Sequence, residues 1–215
     1  MSIIRHFVVA AGGTGGHMVP AHALAAELMR RGHRVALVTD ERGARIPGLF
    51  DGVQTHVIPA GRLGGGIRGY WKAFLDIRAG TAMSRRLYET FDPAAVVGFG
   101  GYPALPALRA AFKDRIPTMI HEQNAVLGRV NRFVARKVNG IATAYPDVER
   151  LNPRYDDKVH LVGNPVRDIV KEIRSQPFPE ISDDGIFRVL VTGGSQGASI
   201  LSDVVPDGLA LLPLT

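Results

Sequence analysis

Short apolar runs rich in β-branched residues alternate along this chain with longer stretches whose apolar positions recur at helical spacing. Residues 3–11 form the first run, which ends in glycine and predicts a buried strand. The pattern over 20–31 predicts a helix closed by Gly32. Strands are predicted at 34–39 and 53–58, then a mostly helical stretch over 67–91. A strand at 94–98 leads through Gly100-Gly101-Tyr102-Pro103 into a helix reaching about Phe112, and 117–121 is the next strand. The spacing over 126–138 predicts a helix with Val126, Leu127, Val130, Phe133, Val134 and Val138 on one face. Further strands are expected at 140–144 and 158–162.

Strands alternating with amphipathic helices imply βαβ units and a parallel sheet. Residues 1–163 therefore read as one doubly wound, Rossmann-like α/β domain. Gly163-Asn164-Pro165 is a turn and a candidate hinge, and the Pro- and Asp-containing stretch 175–185 reads as a loop. A strand at 187–192, a glycine-rich turn at 193–198 and a helix at 199–212 would open a second Rossmann-like domain. One βα unit cannot cover both faces of a strand. Residues 164–215 are thus expected to be a linker and the start of an incomplete domain.

Hydrophobic residues make up 46% of the 215 positions, enough to bury a large core and to exclude disorder of the whole chain. With no cysteine, disulfides and thiolate metal sites are excluded. No histidine–carboxylate grouping has metal-ligand spacing, so no metal is expected. Residues 7–26 lack any Asp, Glu, Lys or Arg, but Gly12, Gly13, Gly15, Gly16, His17, Pro20 and His22 break the run. It fits a strand–loop–helix better than a membrane span or a signal peptide.

The net charge of +6 calls for an anionic partner. Within 61–90, Arg62, Arg68, Lys72, Arg78, Arg85 and Arg86 face only Asp76 and Glu89. The same segment carries Leu63, Ile67, Tyr70, Trp71, Phe74 and Leu75. Such a basic, aromatic, amphipathic stretch suits an anionic membrane surface. It equally suits a helix whose apolar stripe packs on the sheet. Arg129, Arg132 and Arg136 could meet phosphates, but no recognition helix or aromatic RNA-binding motif accompanies them, so nucleic acid is not expected.

Three strand-to-helix junctions are glycine-rich: Gly12-Gly13-Thr14-Gly15-Gly16-His17, Gly98-Phe99-Gly100-Gly101-Tyr102 and Gly193-Gly194-Ser195-Gln196-Gly197. Glycine lets a ligand approach the backbone, and the following helix offers free N–H groups to an anion. A nicotinamide oxidoreductase is one reading, with Asp40 as the ribose acid. Met18, however, occupies the third glycine position of that fingerprint. No G-x-x-x-x-G-K-[ST] loop is present.

Together with His121-Glu122-Gln123-Asn124 and Gly163-Asn164-Pro165-Val166-Arg167, these loops give five motifs in fixed order. In that order and spacing the chain resembles the bacterial peptidoglycan lipid-intermediate N-acetylglucosaminyltransferases. The resemblance runs from residue 7 to about 202. It implies a two-domain GT-B fold and inverting transfer of GlcNAc from UDP-GlcNAc to lipid-linked muramyl-pentapeptide, with no cofactor. It implies cell-wall biogenesis at the cytoplasmic face of the inner membrane, as a peripheral protein. Implied partners are UDP-GlcNAc, undecaprenyl-diphospho-muramoyl-pentapeptide and an anionic membrane surface, with other cell-wall synthesis proteins as further candidates. Family members continue past residue 215, so this chain alone is expected to be inactive. A non-catalytic lipid- or acceptor-binding domain is the third reading.

The resemblance distributes roles over the motifs. It sets Thr14, Gly15 and Gly16 against donor sugar and acceptor, Tyr102 in the acceptor cleft and Asn124 on GlcNAc. It sets Ser195, Gln196, Gly197 and Arg167 on the diphosphate. Two groups could serve as base. His17 titrates near neutrality, but histidines at helix starts also cap or pack. Glu122 could be a base, could orient another group, or could be structural. Leu63, Ile67, Arg68, Trp71, Lys72, Phe74 and Leu75 are the membrane candidates.

Overall fold

The computed structural model describes residues 3–61, 66–178, 189–193 and 197–212. The chain divides into two compact units, Met1–Lys171 and Glu172–Thr215.

The first unit is a seven-stranded, all-parallel sheet in the order β3-β2-β1-β4-β5-β6-β7. The strands are β1 (His6–Ala10), β2 (Arg34–Thr39), β3 (Gln54–Val57), β4 (Ala95–Gly98), β5 (Thr118–Glu122), β6 (Gly140–Thr143) and β7 (Val159–Leu161). The order reverses between β1 and β4, so the crevice at this switch point lies beyond their carboxyl ends.

The buried strands alternate between two cores. Val8, Ala10, Val38, Val96, Ile120 and Ile141 pack with Ala104, Ala107, Leu108 and Ala111 of α4 (Ala104–Lys113). Val9, Ala11, Val35, Leu37 and Phe99 pack with Met18, Ala21 and Ala25 of α1 (Gly15–Arg30) on the opposite face. Each fully buried large side chain contributes roughly 1.5–3 kcal/mol. That two-sided burial is why the strands read as continuous apolar runs.

Helix α1 begins at Gly15, well before the predicted start at residue 20, and takes Pro20 inside it. Tertiary packing of Met18 and Ala21 outweighs the poor propensity of Gly15 and Gly16. At its other end, Gly32 (φ 83°) donates to Met29 and His33 to Leu28, a Schellman closure.

Helix α3 (Gly66–Phe91) turns its small residues inward. A Cβ on Gly80 would lie 2.3 Å from the Pro59 carbonyl oxygen, and one on Gly61 would lie 2.5 Å from that of Ala73. The helix therefore sits backbone-close to the sheet edge. The large apolar residues of its first turns face out, Ile67 at 81% and Trp71 at 63% exposed, while Leu87 and Tyr88 near its end are buried.

Two expectations are corrected. The helix expected over 126–138 is only α5 (Arg129–Val134). Gly128 is extended, Leu127, Val134 and Val138 are buried, and Val126 and Phe133 are exposed, so the presumed single face does not form. In the second unit, residues 189–193 form no strand, and 187 and 188 lie outside the described residues. An isolated strand has no ladder partner to satisfy its backbone. The unit does contain α7 (Ser199–Ala210). Helix α2 (Glu41–Ala44) follows β2, and α6 (Asp168–Ile173) follows β7.

Leu108→Ala should lower stability by about 2–5 kcal/mol in urea unfolding, while Phe133→Ala should stay within about 0.5 kcal/mol. A large cost at Phe133 would contradict its outward orientation.

Candidate functional site

Two glycine loops meet at the switch point. The loop after β1 carries Gly12 and Gly13 (φ 86°); the loop after β4 carries Gly100 (φ 88°) and Gly101 (φ 75°). A Cβ on Gly101 would lie 2.6 Å from the Gly12 carbonyl oxygen, and one on Gly12 would lie 2.4 Å from Pro103 Cγ. The backbones thus touch, and only glycine fits at the contact. Asp40, at the end of β2, braces the first loop. Its Oδ1 accepts from Gly13 N at 3.3 Å and caps α2 through Gly43 N at 2.9 Å, and its Oδ2 pairs with Arg42. It is a strand-end cap, so the ribose role is unsupported.

Thr14 is the N-cap of α1, yet its side chain makes no capping bond. Its Oγ1 lies 3.2 Å from His17 Nδ1 instead. The first-turn N–H groups of Gly15 and Gly16 are left without a partner among the described residues, the arrangement that receives an anion. His17 reaches across to the second loop, where its Nε2 would stand 3.1 Å from a Cβ on Gly100. Burial holds the His17 pKa below the ordinary value of 6.5, and the Glu122 carboxylate acts in the opposite sense.

Glu122 ends β5 and is 1% exposed. Its Oε1 accepts from Asn124 N and Nδ2 at 3.1 and 3.0 Å; its Oε2 accepts from Gly128 N and Asn131 Nδ2 at 2.8 and 2.9 Å. Four donors occupy both oxygens, so this carboxylate holds the 122–131 turn and orients its neighbours. His17, Gly100, Gly101, Tyr102, Glu122 and Asn131 line one cavity of about 250 Å³. His121 bonds through Nε2 to the Gly163 carbonyl at 3.0 Å and stacks on Phe99. Asn124 is exposed.

Of the expected residues, His17, Tyr102 and Glu122 line this cavity, Thr14 is bonded to His17 and Asn124 to Glu122, and Gly15 and Gly16 form the first turn of α1 before His17. Arg167 does not line this cavity. It is exposed, and its charge, after burial, lowers the pKa of His22 further along α1. Ser195, Gln196 and Leu63 lie outside the described residues, and Gly197 has φ 78°. Sequence reasoning missed Asn131, which is 1% exposed, donates to both Glu122 and the His121 carbonyl, and leaves its Oδ1 without a partner. The signal was an amide set among the apolar positions Val130, Phe133 and Val134.

On α3, Ile67, Tyr70, Trp71, Phe74 and Leu75 are exposed, with Trp71 edge-on to Phe74 and Arg78 over the Phe74 ring. Arg68 and Lys72 flank them, also exposed. The apolar stripe therefore does not pack on the sheet. No helix of the described residues is long and apolar enough to cross a membrane.

Residues 7–143 match the glycosyltransferase family 28 N-terminal domain. The chain belongs to this family. Among family 28 relatives, a Zymomonas mobilis subsp. mobilis protein is 66% identical over 98% of this chain and 54% of its own length. It is named UDP-N-acetylglucosamine–N-acetylmuramyl-(pentapeptide) pyrophosphoryl-undecaprenol N-acetylglucosamine transferase. A Caulobacter vibrioides protein of the same name is 49% identical over 96% of this chain and 57% of its own length. The family 28 chain spans about half the length of the curated relatives it matches. The crystal structure of Acinetobacter baumannii MurG superposes with a TM-score of 0.71 at 29% identity, covering 98% of this chain and 56% of that one. The fold is of the GT-B type. A Neisseria meningitidis UDP-GlcNAc 2-epimerase (TM-score 0.56, 14% identity) shares the fold.

Glu122→Ala would leave four donors without an acceptor and should cost at least about 3 kcal/mol in urea unfolding. A near-neutral result would mean the 122–131 turn does not depend on this carboxylate.

Proposed function

We propose that this chain is the acceptor-side half of an inverting transferase that moves GlcNAc from UDP-GlcNAc to lipid-linked muramyl-pentapeptide. The observation that carries the reading is the meeting of the two glycine loops over His17, in a family 28 chain whose relatives bear that activity in their names. His17 is the base. Its Nδ1 is engaged by Thr14, which leaves Nε2 toward the cavity. A pKa held down by burial keeps the ring neutral near pH 7, with a lone pair to accept a proton. In the proposed step the muramyl hydroxyl gives its proton to Nε2. Its oxygen bonds to C1 of GlcNAc, and the C1–O bond to UDP breaks with its electron pair leaving on the diphosphate. The fixed Glu122 charge favours the imidazolium so formed.

Thr14, Gly15 and Gly16 offer backbone N–H groups to the reacting sugars, Asn124 an amide to hydroxyls, and Tyr102 a wall of the acceptor cleft. Arg167, Ser195, Gln196 and Gly197 serve the diphosphate, for which electrostatic stabilisation is the main requirement. No resident cofactor or metal enters the proposal. The acceptor is lipid-linked, and the outward face of α3 supplies the membrane contact, through Ile67, Trp71, Phe74 and Leu75 with Arg68 and Lys72. The working location is then the cytoplasmic membrane surface, where nucleotide sugars are available.

In the full-length protein, kcat/KM should fall as pH drops through an inflection below 6.5, the side on which burial holds the His17 pKa. His17→Ala should lower kcat by about 10²–10⁴-fold and abolish that limb. Persistence of the limb in the variant would remove His17 as base. Trp71→Ser should weaken co-sedimentation with anionic vesicles by about tenfold, since one buried aromatic contributes roughly 1.5–3 kcal/mol; binding indifferent to Trp71 and to lipid charge would refute the membrane assignment.

A further inference from the structure

A second, larger hollow adjoins the site. It measures about 600 Å³ and lies between α3 and the carboxyl ends of β2 and β3. That is within the roughly 300–1,000 Å³ range of pockets that take small organic ligands. Tyr102 lines both this hollow and the His17 cavity. Asp40, which braces Gly13, is on its wall, and so are Gly69, Lys72, Ala73 and Asp76 of α3. The hollow therefore lies between the outward aromatic face of α3 and the glycine loops. On the functional reading above, an acceptor reaching from that face of α3 to His17 would pass beside it.

Its charges decide which part of such an acceptor it suits. Asp40, Glu41 and Asp76 stand against Arg42 and Lys72 on its wall, and Glu41 pairs with Arg45 at 3.6 Å. Arg42 is paired with Asp40 at 3.3 Å, and Lys72 with Asp76 at 2.9 Å. A diphosphate would have to break those pairs and face three carboxylates. Anions of that kind are held by surplus Arg or Lys and by free backbone N–H groups, which the glycine loops offer instead. Val57, Ile58, Pro59 and Ala60 give the same hollow an apolar floor. A peptide fits this mixture. It offers amide donors and acceptors along its length, apolar side chains, and ionisable groups of both signs for the two ion pairs.

Resting on the acceptor reading above, we infer that this hollow is the subsite for the peptide arm of the acceptor. The sugar and diphosphate then turn past Tyr102 to the glycine loops, and the peptide lies along β2, β3 and α3. Glu41, exposed and paired with Arg45, is one more carboxylate that a phosphate there would face.

The test uses the full-length protein and lipid-linked muramyl acceptors made with and without the peptide, one of the former carrying a photoreactive group on its peptide. Transfer of GlcNAc is measured first; no transfer to either acceptor defeats the underlying functional reading. With transfer established, irradiation should label residues 41–42, 57–61 or 69–76. Val57→Trp, which fills the hollow from an exposed position, should reduce that labelling and raise KM for the peptide-bearing acceptor about tenfold, with KM for UDP-GlcNAc unchanged. Label recovered only elsewhere overturns the subsite. So does a Val57→Trp effect equal for acceptors with and without peptide, which would assign the hollow to the sugar, diphosphate or lipid part.

Discussion

The contact of one glycine backbone with another governs this molecule. Where Gly101 lies against the Gly12 carbonyl and Pro103 against Gly12, no side chain fits, and the loops after β1 and β4 are fixed relative to each other. The parallel sheet makes this possible, because its order reverses between those strands and opens a crevice at their carboxyl ends. His17 follows from it: the early start of α1 carries the imidazole across to Gly100, where burial lowers its pKa. The Glu122 carboxylate, saturated by four donors, then sets the opposite wall.

The same use of small residues orients α3. Gly61 and Gly80 bring that helix close to its neighbours through backbone contacts, so no room is left beneath it for Trp71 or Phe74. The aromatic residues stand outward because the inner face is already filled by Ala73, Gly80, Ser84 and Tyr88. An outward aromatic surface and a glycine-loop crevice thus share one packing device, and the hollow beside both is lined by α3 and by Tyr102.

Function in such a chain divides along the same lines. The first unit has a complete sheet, two cores and a formed crevice, while the chain covers about half of each family 28 relative. The base and the acceptor contacts proposed here all fall in the first unit. Ser195 and Gln196, assigned to the diphosphate, belong to the second.

The sequence by itself determined the sheet, because strands buried on both faces appear as unbroken β-branched runs whose positions need no tertiary information. It also marked the glycine loops, since positive φ and close backbone approach demand glycine wherever they occur. The five ordered motifs were legible as a family resemblance from their residues and spacing alone. Only the tertiary structure decided which face of α3 is filled, because periodicity defines a stripe without saying which side meets the sheet. It alone revealed that Val126 and Phe133 leave the core, that Asp40 braces Gly13, and that Asn131 joins Glu122, all of them contacts between separate segments. The donors to Glu122 lie within nine residues of it, but they converge on its two oxygens only once the 122–131 turn has formed.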